Sequence, residues 1–229
     1  MIGKLPGGEL ATRPLHFIWI CDCSGSMEGA KIQSLNMAIR ESIPHMRQVA
    51  DDNPHAEVLV RAVKFSTEAE WHIKEPTPIE KVRWIDLEAQ RGGRTNMGRA
   101  LTLIASQLKS PPMPERALPP VLALVSDGYP SDSFESGLAA LLAEPWGQKS
   151  VRVALAIGSD VDQDVLQNFM GHSQLKPMQA NNPEDLVSCI KWVSTAVLKY
   201  VSAPPAFPEE STITIPRLAE GHEGRDPVW

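Results

Sequence analysis

The sequence predicts a three-layer α/β/α fold, doubly wound, with a mostly parallel central sheet and one antiparallel edge strand. Three observations point there. Apolar runs of strand length at 15–21, 56–65, 121–125 and 151–157 each end in turn-forming or polar residues. Helical patterns alternate with these runs, and such alternation places helices on both faces of a mostly parallel sheet. The segment 68–74, with Trp71 and Ile73 on one face, follows the second run after a short turn, which makes it a hairpin partner and the antiparallel edge.

The first strand, 15–21, is short, apolar, and contains β-branched and aromatic residues. A helix is expected over about 28–50, where Ile32, Leu35, Ile39, Ile43 and Met46 fall on one stripe. Pro44 lies inside it, and a kink or break is expected there, because proline removes a backbone donor and crowds the preceding turn. Asp51-Asp52-Asn53-Pro54 ends the helix. After the strand at 56–65 and the edge strand at 68–74, Glu75-Pro76-Thr77-Pro78 is expected to break the chain before a short helix or turn at 79–84. Ser66 and Thr67 read as turn residues. Leu101, Ile104, Ala105 and Leu108 give the next helix its apolar face, and the proline-rich 109–120 is a loop leading into the strand at 121–125. A helix over 134–143 turns Leu138, Leu141 and Leu142 inward. The strand at 151–157 precedes a short helix at 162–170. Asn182-Pro183-Glu184-Asp185 is a helix start, with Asn182 as cap, Pro183 in the first position and acids in the first turn. Leu186, Ile190, Val193 and Val197 carry that last helix toward residue 202.

The 229 residues, 42% hydrophobic and 22% charged, suit one sizeable domain. The chain divides into an N-terminal extension at 1–14, the domain at 15–202, and a tail at 203–229 where Pro204, Pro205, Pro208 and Pro216 mix with acids. The tail is expected to be flexible or to bind a partner, and Ser211-Thr212-Ile213-Thr214-Ile215 alternates like a short strand that could extend a sheet edge. A net charge of −6 argues against non-specific nucleic-acid binding. No run reaches the roughly 18–20 apolar residues needed to span a bilayer, and residues 1–14 lack the apolar core of a signal peptide. Three cysteines make no disulfide framework. A cytoplasmic, membrane-free protein is therefore expected. Cys21, Cys23 and Cys189 match no zinc-site spacing and read as buried structural residues. Cys23 would be oxidation-sensitive if exposed.

The functional signal begins at Asp22-Cys23-Ser24-Gly25-Ser26, where the first strand ends and a helix begins. Ligand sites in open α/β sheets form at the carboxyl ends of strands. A carboxylate and two hydroxyls are hard oxygen ligands that suit Mg²⁺ or Mn²⁺. Gly25 permits a turn tight enough for Ser24 and Ser26 to face one point. Alone, such a string is ordinary turn and cap chemistry. Two further segments accompany it: Gly92-Gly93-Arg94-Thr95-Asn96-Met97 enters a helix, and Ser126-Asp127-Gly128 ends the strand at 121–125. Arg91 and Arg94 read as solvated loop residues, since the string is no phosphate-binding loop. Thr95 is expected also to cap the helix it precedes, and Asp132 reads as a loop cap.

Together these segments resemble the metal-ion-dependent adhesion site of the von Willebrand factor A domain family, a Rossmann-like α/β fold. The resemblance spans about 15–202. It maps the family's D-x-S-x-S onto Asp22, Ser24 and Ser26, its G-G-x-T threonine onto Thr95, and its D-G aspartate onto Asp127. It implies that Ser24, Ser26 and Thr95 offer hydroxyls to Mg²⁺ or Mn²⁺, that Asp22 and Asp127 hold the ion directly or through water, and that a protein partner's Asp or Glu completes the shell. A non-catalytic interaction module follows. The strings Asp22-Cys23-Ser24-Gly25-Ser26-Met27, Gly92-Gly93-Arg94-Thr95-Asn96-Met97-Gly98-Arg99-Ala100-Leu101 and Ser126-Asp127-Gly128-Tyr129-Pro130-Ser131-Asp132 further resemble the bacterial TerY-like branch. Its members are intracellular domains of tellurium-resistance, stress and phage-defence gene clusters, often encoded beside a Ser/Thr kinase and a metal-dependent protein phosphatase. That resemblance implies an adaptor role. Two other functions stand beside it. One is a Mg-dependent phosphoryl hydrolase with Asp22 as nucleophile; against it, Ser24 stands where such hydrolases carry an acid/base aspartate, and no H-E-x-x-H or phosphate loop occurs. The other is a structural scaffold whose metal site is not used.

Overall fold

A computed structural model of the chain describes residues 12–172 and 176–202. The expectations for the 203–229 tail, including its strand-like stretch, and for residues 1–11 lie outside the described residues. Six strands form one sheet: β1 (Arg13–Asp22), β2 (Ala56–Phe65), β3 (Ala69–Pro78), β4 (Val121–Ser126), β5 (Val151–Ile157) and β6 (Met178–Ala180). Their order is β3-β2-β1-β4-β5-β6. Every neighbouring pair is parallel except β2–β3, which is antiparallel. The expected mostly parallel sheet with one antiparallel edge strand is thus the observed one.

The helices are α1 (Ala30–Asp51), α2 (Met97–Ala105), α3 (Phe134–Ala143), α4 (Pro145–Lys149), α5 (Gln163–Met170), α6 (Pro183–Trp192) and α7 (Leu198–Ser202), with a π-helical stretch at Val193–Val197 joining the last two. Alternate residues of β1 serve two cores. Leu15, Phe17, Trp19 and Cys21 pack with Leu35, Ile39 and Met46 of α1 and Leu186 and Ile190 of α6. Ile18 and Ile20 pack on the other face with Leu101 and Ile104 of α2, Phe134 of α3 and Phe169 of α5. Period-two alternation on a sheet buried on both sides gives this division.

Four local expectations need correction. The first helix starts at Ala30, not 28, because Gly29 sits outside it at φ 82° and Gly25–Met27 forms a separate 3₁₀ turn. Pro44 does not break it: α1 runs unbroken to Asp51. The proline is exposed and costs about 3 kcal/mol. Buried side chains on both sides of it, Leu35 and Ile39 before and Met46 and Val49 after, each contribute about 1.5–3 kcal/mol. The edge strand does not stop at Lys74 but reaches Pro78. Its ladder shifts register between Val60 and Ala62, with Thr77 opposite Val60 and Ile73 opposite Ala62. Pro76 falls in that irregularity, where no ladder donor is required. Finally, α4 and β6 were not expected; five and three residues are too short to show a period.

β1 and β4 are adjacent and parallel in the centre of the sheet, with Cys21 beside Val125. Their carboxyl ends therefore bring Asp22 and Asp127 to the same edge.

Candidate functional site

The five residues marked by the sequence come together at that edge. Asp22, the last residue of β1, has no exposed surface; Ser24, Thr95 and Asp127 are buried and Ser26 is exposed. Asp22 Oδ1 accepts the Ser24 amide at 2.8 Å, and Asp22 Oδ2 accepts the Ser126 hydroxyl at 2.6 Å. Ser24 Oγ and Ser26 Oγ lie 3.0 Å apart, and Ser26 Oγ donates to Asp127 Oδ1 at 2.7 Å. Thr95 Oγ1 and Ser26 Oγ lie 3.4 and 3.9 Å from the point where a Cβ on Gly128 would stand. Three hydroxyls and two carboxylates from three loops thus share one small volume at the top of the sheet.

Backbone bonds hold the loops in place. Cys23 N donates to Phe65 O at 2.7 Å, Gln90 N to Cys23 O at 2.7 Å, and Gly25 N to Gly93 O at 3.1 Å. Gly93 allows this approach: a Cβ there would meet Ser66 Oγ at 2.0 Å and Gln90 O at 2.7 Å. Ser66 and Thr67, read as turn residues, anchor the Thr95 loop as well. Asn96 N donates to Ser66 O at 2.9 Å, and Thr67 Oγ1 accepts the Arg94 amide at 3.2 Å. Thr95 does not cap α2. The free amides of Gly98 and Arg99 are taken by Asp132, each at 2.9 Å. A carboxylate suits that role better than a hydroxyl, being both acceptor and counter-charge to the helix N-terminus. Arg91 and Arg94 are exposed, as expected.

Sequence reasoning missed two participants. Ser126, quoted only as the neighbour of Asp127, fixes Asp22. Lys31, in the first turn of α1, places its ammonium 2.6 Å from Asp127 Oδ2, with 20% of its side chain exposed against none of Asp127's. Its signal was positional: it is the second residue of α1, the helix that follows the Asp22 loop.

The electrostatics are asymmetric. Burial pushes the Asp22 carboxyl up from 3.8 to about 6; the charge of Asp127 adds to the rise, and the bonds from Ser126 and Ser24 oppose it. Asp127 has its own ammonium; Asp22 makes no ion pair among the described residues. The donor set is oxygen throughout, which fits a hard divalent cation. Among the described residues no group of three His, Cys, Asp or Glu side chains offers a softer metal site. The three cysteines are free and buried. Cys23 is not exposed, and burial pushes its thiol up to about 12, so it does not present the reactive thiolate that exposure would have allowed.

A Rossmann-like sheet carrying an aspartate-serine loop on its central strand defines a recognisable class of α/β domain. The family model of the von Willebrand factor type A domain matches residues 18–188, and the chain belongs to that family. Domains of this family are typically protein-interaction or adhesion modules and are generally non-catalytic. A search of curated proteins finds no match. Among solved structures, the chain is similar to proximal thread matrix protein 1 from the mussel byssus, with a zinc-occupied metal-ion-dependent adhesion site in that protein: 16% identity, TM-score 0.60, covering 82% of this chain and 48% of that one. The VWA2 paralog of ArnB from Sulfolobus acidocaldarius gives 19% identity and TM-score 0.56, over 79% of this chain and 45% of that one. The pilus adhesin SpaC of Lactobacillus rhamnosus GG gives 11% identity and TM-score 0.64, over 83% of this chain and 31% of that one. At these identities the likeness is one of fold. The chain spans about half or less of the length of these structures. Among the described residues no helix is long and apolar enough to cross a membrane.

Proposed function

We propose that this domain is a non-catalytic interaction module that holds Mg²⁺ or Mn²⁺ at a metal-ion-dependent adhesion site and uses it to engage an acidic group of a protein partner. The observation that carries this reading is the convergence of Asp22, Ser24, Ser26, Thr95 and Asp127 from three loops, without histidine or thiolate. Ser24, Ser26 and Thr95 would supply neutral oxygens, and Asp22 and Asp127 the negative charge. A cation held there supplies a Lewis-acidic point that a partner's Asp or Glu can complete. Ser126 orients Asp22 by donating to Oδ2, and the amide of Ser24 holds Oδ1, so this carboxylate is fixed before any ligand arrives. Lys31 neutralises Asp127 until then. A concave surface of about 560 Å³ lined by Glu68, Arg99, Asp132 and Ser133 lies beside the Thr95 loop and gives a partner room to dock.

The division the sequence suggests, 1–14 for the extension, 15–202 for the domain and 203–229 for the tail, is kept as our proposal with its first boundary moved two residues earlier, because Arg13 and Pro14 pair with β2. The strings around Asp22, Thr95 and Asp127 support a place in a TerY-like stress, tellurium-resistance or defence system, as a cytoplasmic adaptor for a Ser/Thr kinase and a metal-dependent protein phosphatase. Phosphoryl hydrolysis by Asp22 is the less favoured reading: both its oxygens are engaged, by Ser24 and Ser126, and no acid/base partner stands two residues on.

Isothermal titration with Mg²⁺ and Mn²⁺ tests the reading. Saturable binding by the wild type, lost in Asp127→Ala, is the expected result. A pull-down of cellular partners with and without chelator then separates a metal bridge from a scaffold whose site is unused. Retention that ignores both chelator and Asp127→Ala would overturn the metal-bridge model.

A further inference from the structure

At the opposite end of the sheet lies a second polar site. His16 belongs to the amino-terminal part of β1, six residues before Asp22, which puts it roughly 20 Å from the carboxyl edge at about 3.3 Å per residue. It is 5% exposed, and neither ring nitrogen has a hydrogen-bond partner. Arg61 of β2 projects from the same face, beside Ile18, and is also 5% exposed. Its Nε donates to Lys74 O at 2.8 Å and its Nη2 to Gln107 Oε1 at 3.3 Å, and the guanidinium stacks 3.8 Å above the Trp71 ring. It makes no ion pair among the described residues. Buried charges are ordinarily paired, and buried ring nitrogens ordinarily bonded. His16 and Arg61 both line one cavity of about 140 Å³, closed by Lys74, Glu75 and Pro76 on β3 and by Gln107 and Met113.

We propose that this cavity is a binding site for a small oxyanion, with Arg61 as the charge partner and His16 as the orienting hydrogen-bond group. The guanidinium has donors left after Lys74 and Gln107, which suits oxygen acceptors. The imidazole is neutral: burial, and then the charge of Arg61, lower it from 6.5 to about 4. It therefore offers one donor, which any oxyanion can accept, and one acceptor, which the hydroxyl of a hydrogen phosphate can meet. Lys74 adds a second positive charge at the mouth, while the carboxylate of Glu75, whose charge favours the ionised form of Arg61, is the group a bound anion must compete with. The volume is well below the roughly 300–1,000 Å³ of ordinary organic ligand pockets, which excludes nucleotides and peptides.

The test uses metal-free protein, titrated separately with inorganic phosphate, sulfate and acetate. Saturable binding of at least one, with a dissociation constant of about 1 mM or tighter, is expected. It should weaken at least about tenfold in Arg61→Met and persist in Asp127→Ala, which separates it from the metal site. The arm that binds tells a tetrahedral anion from a carboxylate. Because a core variant can misfold, the ring signals of His16 in NMR spectra of the wild type give a second readout, and they should move as the anion saturates. Absence of saturable binding by all three anions, or ring signals unmoved by them, would overturn the proposal and leave a water-filled cavity.

Discussion

Replacing Lys31 by methionine keeps the aliphatic stem and removes only the ammonium. That ammonium lies 2.6 Å from Asp127 Oδ2, its side chain 20% exposed and the aspartate's fully covered. Exposed ion pairs contribute up to about 1 kcal/mol, and hydrogen bonds to charged groups about 1.5–3 kcal/mol. The geometry here is intermediate, so the bond contributes about 1–2 kcal/mol. A divalent cation that takes Asp127 Oδ2 in the proposed site displaces it. Lys31→Met is therefore expected to tighten Mg²⁺ binding by roughly 5–30-fold, the factor that 1–2 kcal/mol gives. The same substitution leaves Asp127 uncompensated near Asp22 and should lower metal-free stability by about the same amount. Titration calorimetry reads the first effect and urea unfolding without metal the second. Opposite signs are the signature of a tethered competitor. Mg²⁺ affinity that is unchanged or weaker in Lys31→Met would refute the reasoning.

Other substitutions have equally definite outcomes. Asp22 is held at about 6 against 3.8, so its contribution to metal-free stability is present below about pH 4 and lost as pH rises to about 6. His16, held at about 4 against 6.5, contributes with the opposite sign: its part is present above about pH 6.5 and lost on acidification toward pH 4. Urea unfolding at about pH 4.5, 5.5 and 6.5 should show Asp22→Asn gaining stability with pH and His16→Leu losing it, and parallel slopes in the two variants would contradict both assignments. Pro44→Ala restores a donor facing the Arg40 carbonyl at an exposed helix position and should raise stability by about 1–3 kcal/mol, seen as a higher urea midpoint. Gly93→Ala forces a Cβ to within 2.7 Å of the Gln90 carbonyl, so the Thr95 loop should shift and both stability and Mg²⁺ affinity should fall.

What the sequence reveals depends on how local the cause is. The bounds expected for β2, α3 and β5 coincide with those observed, because each is a continuous apolar or periodic run ended by turn chemistry. Asn182 caps α6 as expected, accepting the Asp185 amide at 2.9 Å. Neither Pro44 nor Pro76 ends its element, and the reason is shared: tertiary packing outweighs the local preference. The core on both sides of Pro44 outweighs one lost bond, and the bulge beside Arg61 absorbs Pro76. The five motif residues were visible through their spacing and family resemblance. Lys31 and Ser126 were not, because their partners lie 96 and 104 residues away and only the β1–β4 pairing makes them neighbours. His16 read as an unremarked member of an apolar run, and nothing local distinguishes it from the core residues on either side.

Lys31 also bears on what kind of partner the proposed site prefers. Without a cation, two carboxylates face one ammonium, and the cluster carries one net negative charge that repels an acidic side chain. Ser24, Ser26 and Thr95 add no charge. With a dication held by Asp22 and Asp127, the two carboxylates are neutralised and the Lys31 ammonium is set free at the rim, so the local charge becomes one net positive. The change of sign spans the distance of a single side chain, over which charges near a protein surface interact by several kcal/mol before screening. In the proposed function, selectivity for Asp or Glu would therefore arise from two sources, an open coordination position and a displaced lysine. They differ in salt dependence: the coordinate contact is short-ranged, whereas the contribution of an exposed ammonium fades over a Debye length of about 8 Å at physiological salt. Partner binding by Lys31→Met in the presence of Mg²⁺ should accordingly lose part of its salt dependence while keeping its dependence on the metal.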